Sequence, residues 1–134
     1  MKKVLLDTNI ILDLALKRDK FFEAASNIFT QIDNREIDAF ISATTITDIY
    51  YILSKALNRE TASSFLIDLL EIVGVLGVDS ETVKSALNSE IIDFEDAIQC
   101  CCAFENAVDI IIARNISDFK NCKLQIVNPL KEPI

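Results

Sequence analysis

The chain contains no histidine and no tryptophan, and among its 134 residues there are only two glycines and two prolines. Without histidine there is no Ser-His-Asp or Cys-His nucleophile pair, and zinc loses its commonest nitrogen ligand. Gly74 and Gly77 alone make neither a Walker loop nor a G-x-G-x-x-G turn, which excludes the usual phosphate-cradling loops. So little glycine and proline also leaves little material for linkers. The length and the 51% apolar fraction therefore predict one compact domain over residues 1–134 with a single substantial core.

Long hydrophobic runs are missing too. Charges interrupt every apolar stretch well before the roughly 20 residues needed to span a bilayer, so no membrane partner is expected. The opening Met1-Lys2-Lys3 and Val4–Leu6 imitate a signal peptide, but Asp7 ends the run after three residues, too short for an h-region. Basic charge is scarce, with 13 Lys and Arg against 21 Asp and Glu and a net charge of −8. That argues against broad electrostatic attachment to a nucleic-acid backbone. It leaves room for nucleic-acid chemistry at an acidic cluster whose sign a bound metal reverses. Local basic runs are confined to Lys2-Lys3 and Lys17–Lys20, and Arg114 is the base nearest a candidate site acid. The four cysteines, Cys100, Cys101, Cys102 and Cys122, have neither disulfide-framework nor C-x-x-C spacing. They are expected to be free thiols used as small hydrophobes in a reducing cytoplasm.

Apolar runs alternate with helical periodicity along the chain. Strands are expected at Lys3–Leu6, Asp38–Ile41, Gly74–Val78, Val108–Ala113 and Lys123–Val127. Helices are expected near Asn9–Leu16, Lys20–Asp33, Thr45–Leu57, Glu60–Ile72, Ser80–Leu87 and Phe94–Asn106. This is the pattern of an α/β fold with a mostly parallel five-stranded sheet covered on both faces. The last helix is apolar nearly all round, with Phe94, Ala97, Ile98, Cys101 and Phe104 as its expected main stripe, so it should be largely buried.

Four acids stand at the strand ends and helix starts of this pattern: Asp7 in VLLDTN, Asp48 in TTITDIYY, Asp96 in FEDAI and Asp118 in RNISDF. Ligands of open α/β sheets gather at the carboxyl edge of the strands, so the four carboxylates are expected to converge. Each also has a purely structural reading. Asp7 can cap the following helix, and Asp48 falls at a capping-box position after Thr45. Asp93 can cap the helix carrying Asp96, and Asn115 and Asp118 can be turn residues. Asp79 is the contrast: Asp79-Ser80-Glu81 before a short helix needs nothing beyond capping. Two carboxylates about 5 Å apart repel by about 3 kcal/mol at an effective dielectric near 20. A converged set therefore either binds protons or admits a cation. Oxygen ligands without histidine suit a hard divalent ion, Mg²⁺ or Mn²⁺.

LLDTNIILD, TTITDIYYIL and DFEDAIQCCCAFENAVDIIIARNISDF, in this order and spacing, resemble a PIN domain across nearly the whole chain. They are most similar to the small bacterial VapC-type toxins. The resemblance implies a three-layer α/β/α sandwich and a Mg²⁺- or Mn²⁺-dependent ribonuclease. On it, Asp7, Asp48, Asp96 and Asp118 fall at the four catalytic acid positions, with Asp7, Asp96 and Asp118 as metal ligands. Asn9 and Asn115 match the accompanying polar positions, Asp93 is an additional supporting acid, and Arg114 is a candidate phosphate-steering residue. A homodimer, an RNA substrate and a small antitoxin protein are the implied partners. Two departures stand out: Asp48 is shorter than the Glu common at its place, and Ala113 replaces the hydroxyl residue often found before Arg-Asn. Two other classes compete. One is a non-catalytic PIN-like module that binds RNA or protein. The other is a receiver-like or dehalogenase-like phosphoacceptor at Asp7, which lacks the second aspartate expected at Asn9.

Overall fold

A computed structural model describes all 134 residues. Five strands, β1 (Lys2–Leu6), β2 (Ile37–Ser42), β3 (Gly74–Leu76), β4 (Ile110–Ile112) and β5 (Gln125–Val127), form one sheet in the order β3-β2-β1-β4-β5. Every neighbouring pair is parallel. The helices are α1 (Thr8–Ala15), α2 (Phe22–Asp33), α3 (Ala43–Ala56), α4 (Arg59–Leu69), α5 (Ser80–Leu87) and α6 (Phe94–Glu105), with a 3₁₀ turn at Ile116–Phe119. The chain lays β1, β2 and β3 outward in one direction, then returns to the far side of β1 for β4 and β5. The direction of winding thus reverses between β1 and β4, which leaves a crevice at their carboxyl ends.

Side-chain alternation along the central strands divides the interior into two layers. Val4 and Leu6 of β1, with Ile110 and Ile112 of β4, pack with Ile10, Ile28, Ile49 and Leu53 from α1–α3. Leu5 and Ile111 point to the opposite face and meet Ala97, Ile98 and Ala103 of α6, together with Phe119. The sandwich therefore has three layers, with α1–α4 on one face of the sheet and α5 and α6 on the other. No helix is long and apolar enough to cross a membrane.

Three expectations need correction. The run Val108–Ala113 yields only Ile110–Ile112 as strand, because the Val108 N–H closes the end of α6 on the Ala103 carbonyl instead of joining the ladder. The buried face of α6 is Ala97, Ile98, Gln99, Cys100, Cys102 and Ala103. Phe94 and Phe104, assigned to the main stripe, are 45% and 58% exposed. The third correction concerns the cysteines. Cys100 on α6 and Cys122, just beyond the 3₁₀ turn, form a disulfide with their Cα atoms 6.0 Å apart; Cys101 and Cys102 remain free. Adjacent helical residues point roughly 100° apart, so a run of three cysteines hides which one faces a distant loop. Under oxidising conditions Cys122→Ser should lower stability to unfolding by about 3 kcal/mol, the usual range for a bond closing a loop of this size. With excess reductant, urea titrations of variant and wild type should coincide.

Candidate active site

Asp7 stands one residue past β1 and is the N-cap of α1. Its backbone N–H donates to the Ile112 carbonyl at 3.0 Å, tying the end of β1 to the end of β4. Asp7 as a residue is 8% exposed. Its Oδ1 accepts from Gln99 Nε2 at 2.9 Å, and its Oδ2 accepts from the Asn9 backbone N–H at 3.4 Å. Burial pushes the Asp7 carboxyl above the usual range, with Asp118 adding to the shift, while these hydrogen bonds pull it back. The capping reading of Asp7 is thus correct as far as it goes, but a cap needs neither this burial nor Gln99.

Asp48 is held differently. The N-cap of α3 is Ser42, not Thr45, so Asp48 lies in the helix body and the capping-box reading fails. A chain of hydroxyls runs from Ser42 to Thr45 (3.1 Å) and from Thr45 to Thr8 (3.2 Å). It joins the start of α3 to the start of α1. Asp48 stands one turn beyond Thr45 and so projects from the same side of α3.

Asp93 caps α6 by accepting from the Asp96 backbone N–H at 3.0 Å. This places Asp96 in the first turn, half-buried. Burial first, then Asp93, Asp7, Asp118 and Glu95, push the Asp96 carboxyl up to about 7. Asp118 lies in the 3₁₀ turn, where Asn115 Nδ2 donates to its Oδ1 at 2.9 Å and Ser117 Oγ donates to Asn115 Oδ1 at 2.8 Å. Asn115 therefore orients Asp118.

These acids share one cleft of about 390 Å³ at the carboxyl edge of β1 and β4. Asp7, Asp48, Asp96 and Asp118 all line it, together with Thr8, Asn9, Tyr51 and two residues that sequence reasoning missed, Glu95 and Gln99. Glu95 faces Asp48 in this cleft, and both carboxyls are raised, by burial first, with the Asp48 charge adding to the shift of Glu95. Asp93 lies outside this cleft, in a neighbouring depression that shares Asp118. Asp79, by contrast, makes a complete capping box with Thr82 and takes no part.

Gln99 is 3% exposed, and its Oε1 has no hydrogen-bond partner. An orphaned buried acceptor costs about 1–3 kcal/mol. Its position was legible in principle, since it follows Asp96 by three residues and so shares its helix face.

Arg114 does not line the cleft. Its Nε and Nη2 donate to the two oxygens of Asp13 at 2.7 and 3.2 Å, and its guanidinium stacks on Phe21 with 3.8 Å to the ring centroid. Arg18 adds a third bond to Asp13 and also donates to Asn9 Oδ1, both at 3.2 Å. The steering role expected of Arg114 is thus not the one its contacts support; it clamps the end of β4 onto α1. Asn9 is drawn into the same network while facing the cleft.

The cleft's donors are carboxylate and amide oxygens, the set that suits a hard cation. No three of the acids stand close enough to form a ready-made ligand group. A small divalent ion that keeps part of its water shell tolerates this wider spacing, because it needs only one or two carboxylates directly.

Residues 3–117 match the sequence profile of the PIN domain. The chain belongs to the PIN-domain family. No curated protein sequence matches it. Among solved structures, the PIN fold of this chain is similar to that of VapBC2 from Rickettsia felis bound to a DNA fragment from its promoter. There the TM-score is 0.72 at 19% identity, covering 94% of this chain and 98% of that one. A toxin-antitoxin complex from Klebsiella pneumoniae matches with TM-score 0.69 and 21% identity over 94% and 97% of the two chains. VapC20 of Mycobacterium tuberculosis, a Sarcin-Ricin loop cleaving toxin, matches with 0.66 and 14% over 81% and 86%. PIN nucleases generally use divalent metal ions.

The raised Asp96 carboxyl makes a signed prediction. Its folded-state value, about 7, lies above its ordinary value of 3.8. The stability it contributes is therefore fully present below pH 4 and lost as pH rises through 7. Metal-free protein should show a melting temperature that declines over this window, and Asp96→Asn should flatten the decline in differential scanning fluorimetry. A second prediction concerns Asp13, whose side chain is 1% exposed and bridges two arginines. Asp13→Ala should cost about 3 kcal/mol in urea unfolding, the low end for a broken buried pair, because both guanidinium groups reach solvent.

Proposed function

We propose that this PIN domain is a metal-dependent endoribonuclease, acting as a single domain and serving as the toxin of a toxin–antitoxin pair. The observation that carries the reading is the convergence of Asp7, Asp48, Asp96 and Asp118, with Glu95, in one cleft at the β1–β4 crevice. A toxin-antitoxin complex and an RNA-cleaving toxin among the similar folds support it.

In this reading Asp7, Asp96 and Asp118 hold one or two Mg²⁺ or Mn²⁺ ions. Bound there, a divalent ion activates water and stabilises charge developing on the phosphodiester. Asn115 fixes Asp118, and Asn9, held by Arg18, offers its amide to bound water or substrate. Asp48 and Glu95 stand together at the cleft wall with their carboxyls raised above the ordinary range, so this pair is suited to take up the proton of the attacking water. The water oxygen bonds to phosphorus and the P–O3′ bond breaks, leaving a 5′-phosphate and a 3′-hydroxyl.

The substrate is RNA, single-stranded or structured, in the cytoplasm. In that compartment the Cys100–Cys122 bond is open to thiol exchange. A homodimer and an antitoxin protein are the proposed partners. Exposed apolar side chains such as Tyr51 at the cleft and Ile67 on α4, 62% and 64% exposed, offer surface for them.

The test is cleavage of a mixed-sequence RNA with Mg²⁺, Mn²⁺ or EDTA. Wild type should cut only with metal. Asp96→Asn should reduce the rate by more than about 100-fold, since even outer-shell partners of a metal cost 10–100-fold, while keeping its circular dichroism spectrum. Well-folded wild type that binds RNA without cutting it under any metal would favour the binding-module reading instead.

A further inference from the structure

The proposed cation site has a support that lies outside the acids. Gln99 is the single polar residue on the buried face of α6, among Ala97, Ile98, Cys100, Cys102 and Ala103. A residue there to fill space would be apolar, because the amide leaves its Oε1 without a protein partner. What the amide does make is one hydrogen bond, from Nε2 to Asp7 Oδ1 at 2.9 Å across 92 residues of sequence. A carboxylate accepts and does not donate, so the orientation of this amide follows from its partner.

The bond joins the two sides of the cleft. Asp7 is at the end of β1 and Gln99 is one turn after Asp96 on α6. The other support of the Asp7 carboxylate comes from backbone N–H groups, among them a long 3.4 Å contact from Asn9. Gln99 is thus the one side chain that fixes Asp7 in rotation, and it does so without adding charge to a crowded acidic cleft.

We infer that Gln99 is a positioning residue for a divalent cation, holding the Asp7 carboxylate in the orientation that ligation requires. This rests on the cation-dependent reading of the cleft. The probe is Mn²⁺ alone, followed by electron paramagnetic resonance of free and bound ion, with wild type, Gln99→Leu, Asp7→Asn and the double variant. Wild type should bind Mn²⁺, and Gln99→Leu should bind at least about 10-fold more weakly, as loss of an outer-shell partner does. Its metal-free circular dichroism spectrum should be retained, because leucine removes the orphaned acceptor while taking the donor away from Asp7, and the two costs offset. The double variant should bind no worse than Asp7→Asn, since Gln99 acts through Asp7. Wild-type binding with undiminished affinity in Gln99→Leu would overturn the role of Gln99 alone. Further loss in the double variant would also overturn it, by showing an action that does not pass through Asp7. No Mn²⁺ binding by wild type would overturn the cation reading itself, and this inference with it.

Discussion

Leu6 of β1 lies in register with Ile112 of β4, and the cleft depends on this parallel pairing. It sets Asp7 just past the sheet edge, where its N–H takes the Ile112 carbonyl. It also delivers the chain leaving β4 directly into Asn115 and Asp118 on the same edge. Residues more than a hundred apart in sequence become neighbours because two short apolar strands, buried on both faces, have one register in which their side chains fit both layers. Helices α1 and α3 begin where β1 and β2 end, and α6 runs back to the start of β4, so its own start lies at the same edge.

The edge is also where the fold accepts electrostatic cost. Asp7 and Asp13 are both buried aspartates on neighbouring turns of chain, yet their surroundings differ. Asp13 meets two guanidinium groups. Asp7 meets an amide, a long backbone contact and other acids, and its carboxyl is pushed up. If packing alone governed this corner, the nearby arginines would neutralise Asp7 as they do Asp13. Instead Arg18 and Arg114 are drawn to Asp13, and the cleft keeps its unbalanced negative charge. Perturbed carboxyls gathered in a cleft are the signature of a site rather than of a scaffold.

Much of this was legible in the sequence, for a physical reason. Strands buried on both faces must be continuous apolar runs, so Val4–Leu6 and Ile110–Ile112 declare themselves, and the sheet edge follows from where those runs stop. That was enough to bring Asp7, Asp48, Asp96 and Asp118 together. What was not legible depends on direction rather than pattern. Helical periodicity gave α6 a stripe through Phe94 and Phe104, but at the edge of a sandwich those large side chains lie beyond the neighbouring layer. The Cys100–Cys122 bond and the Gln99–Asp7 bond join distant residues with no local signal. Arg114 looked like a cleft residue from its position next to Asn115, and only the geometry shows Asp13 capturing it.

Glu95 changes how the shortness of Asp48 should be understood. An aspartate at the second acid position reaches one methylene less far from α3 than a glutamate would. On the opposing wall, the first turn of α6 presents Glu95, and each carboxyl of the pair is pushed up, by burial first. The missing length on one helix is matched by a longer side chain on the other. The sequence gap of nearly fifty residues between them hides this relation, and the sheet makes it unavoidable.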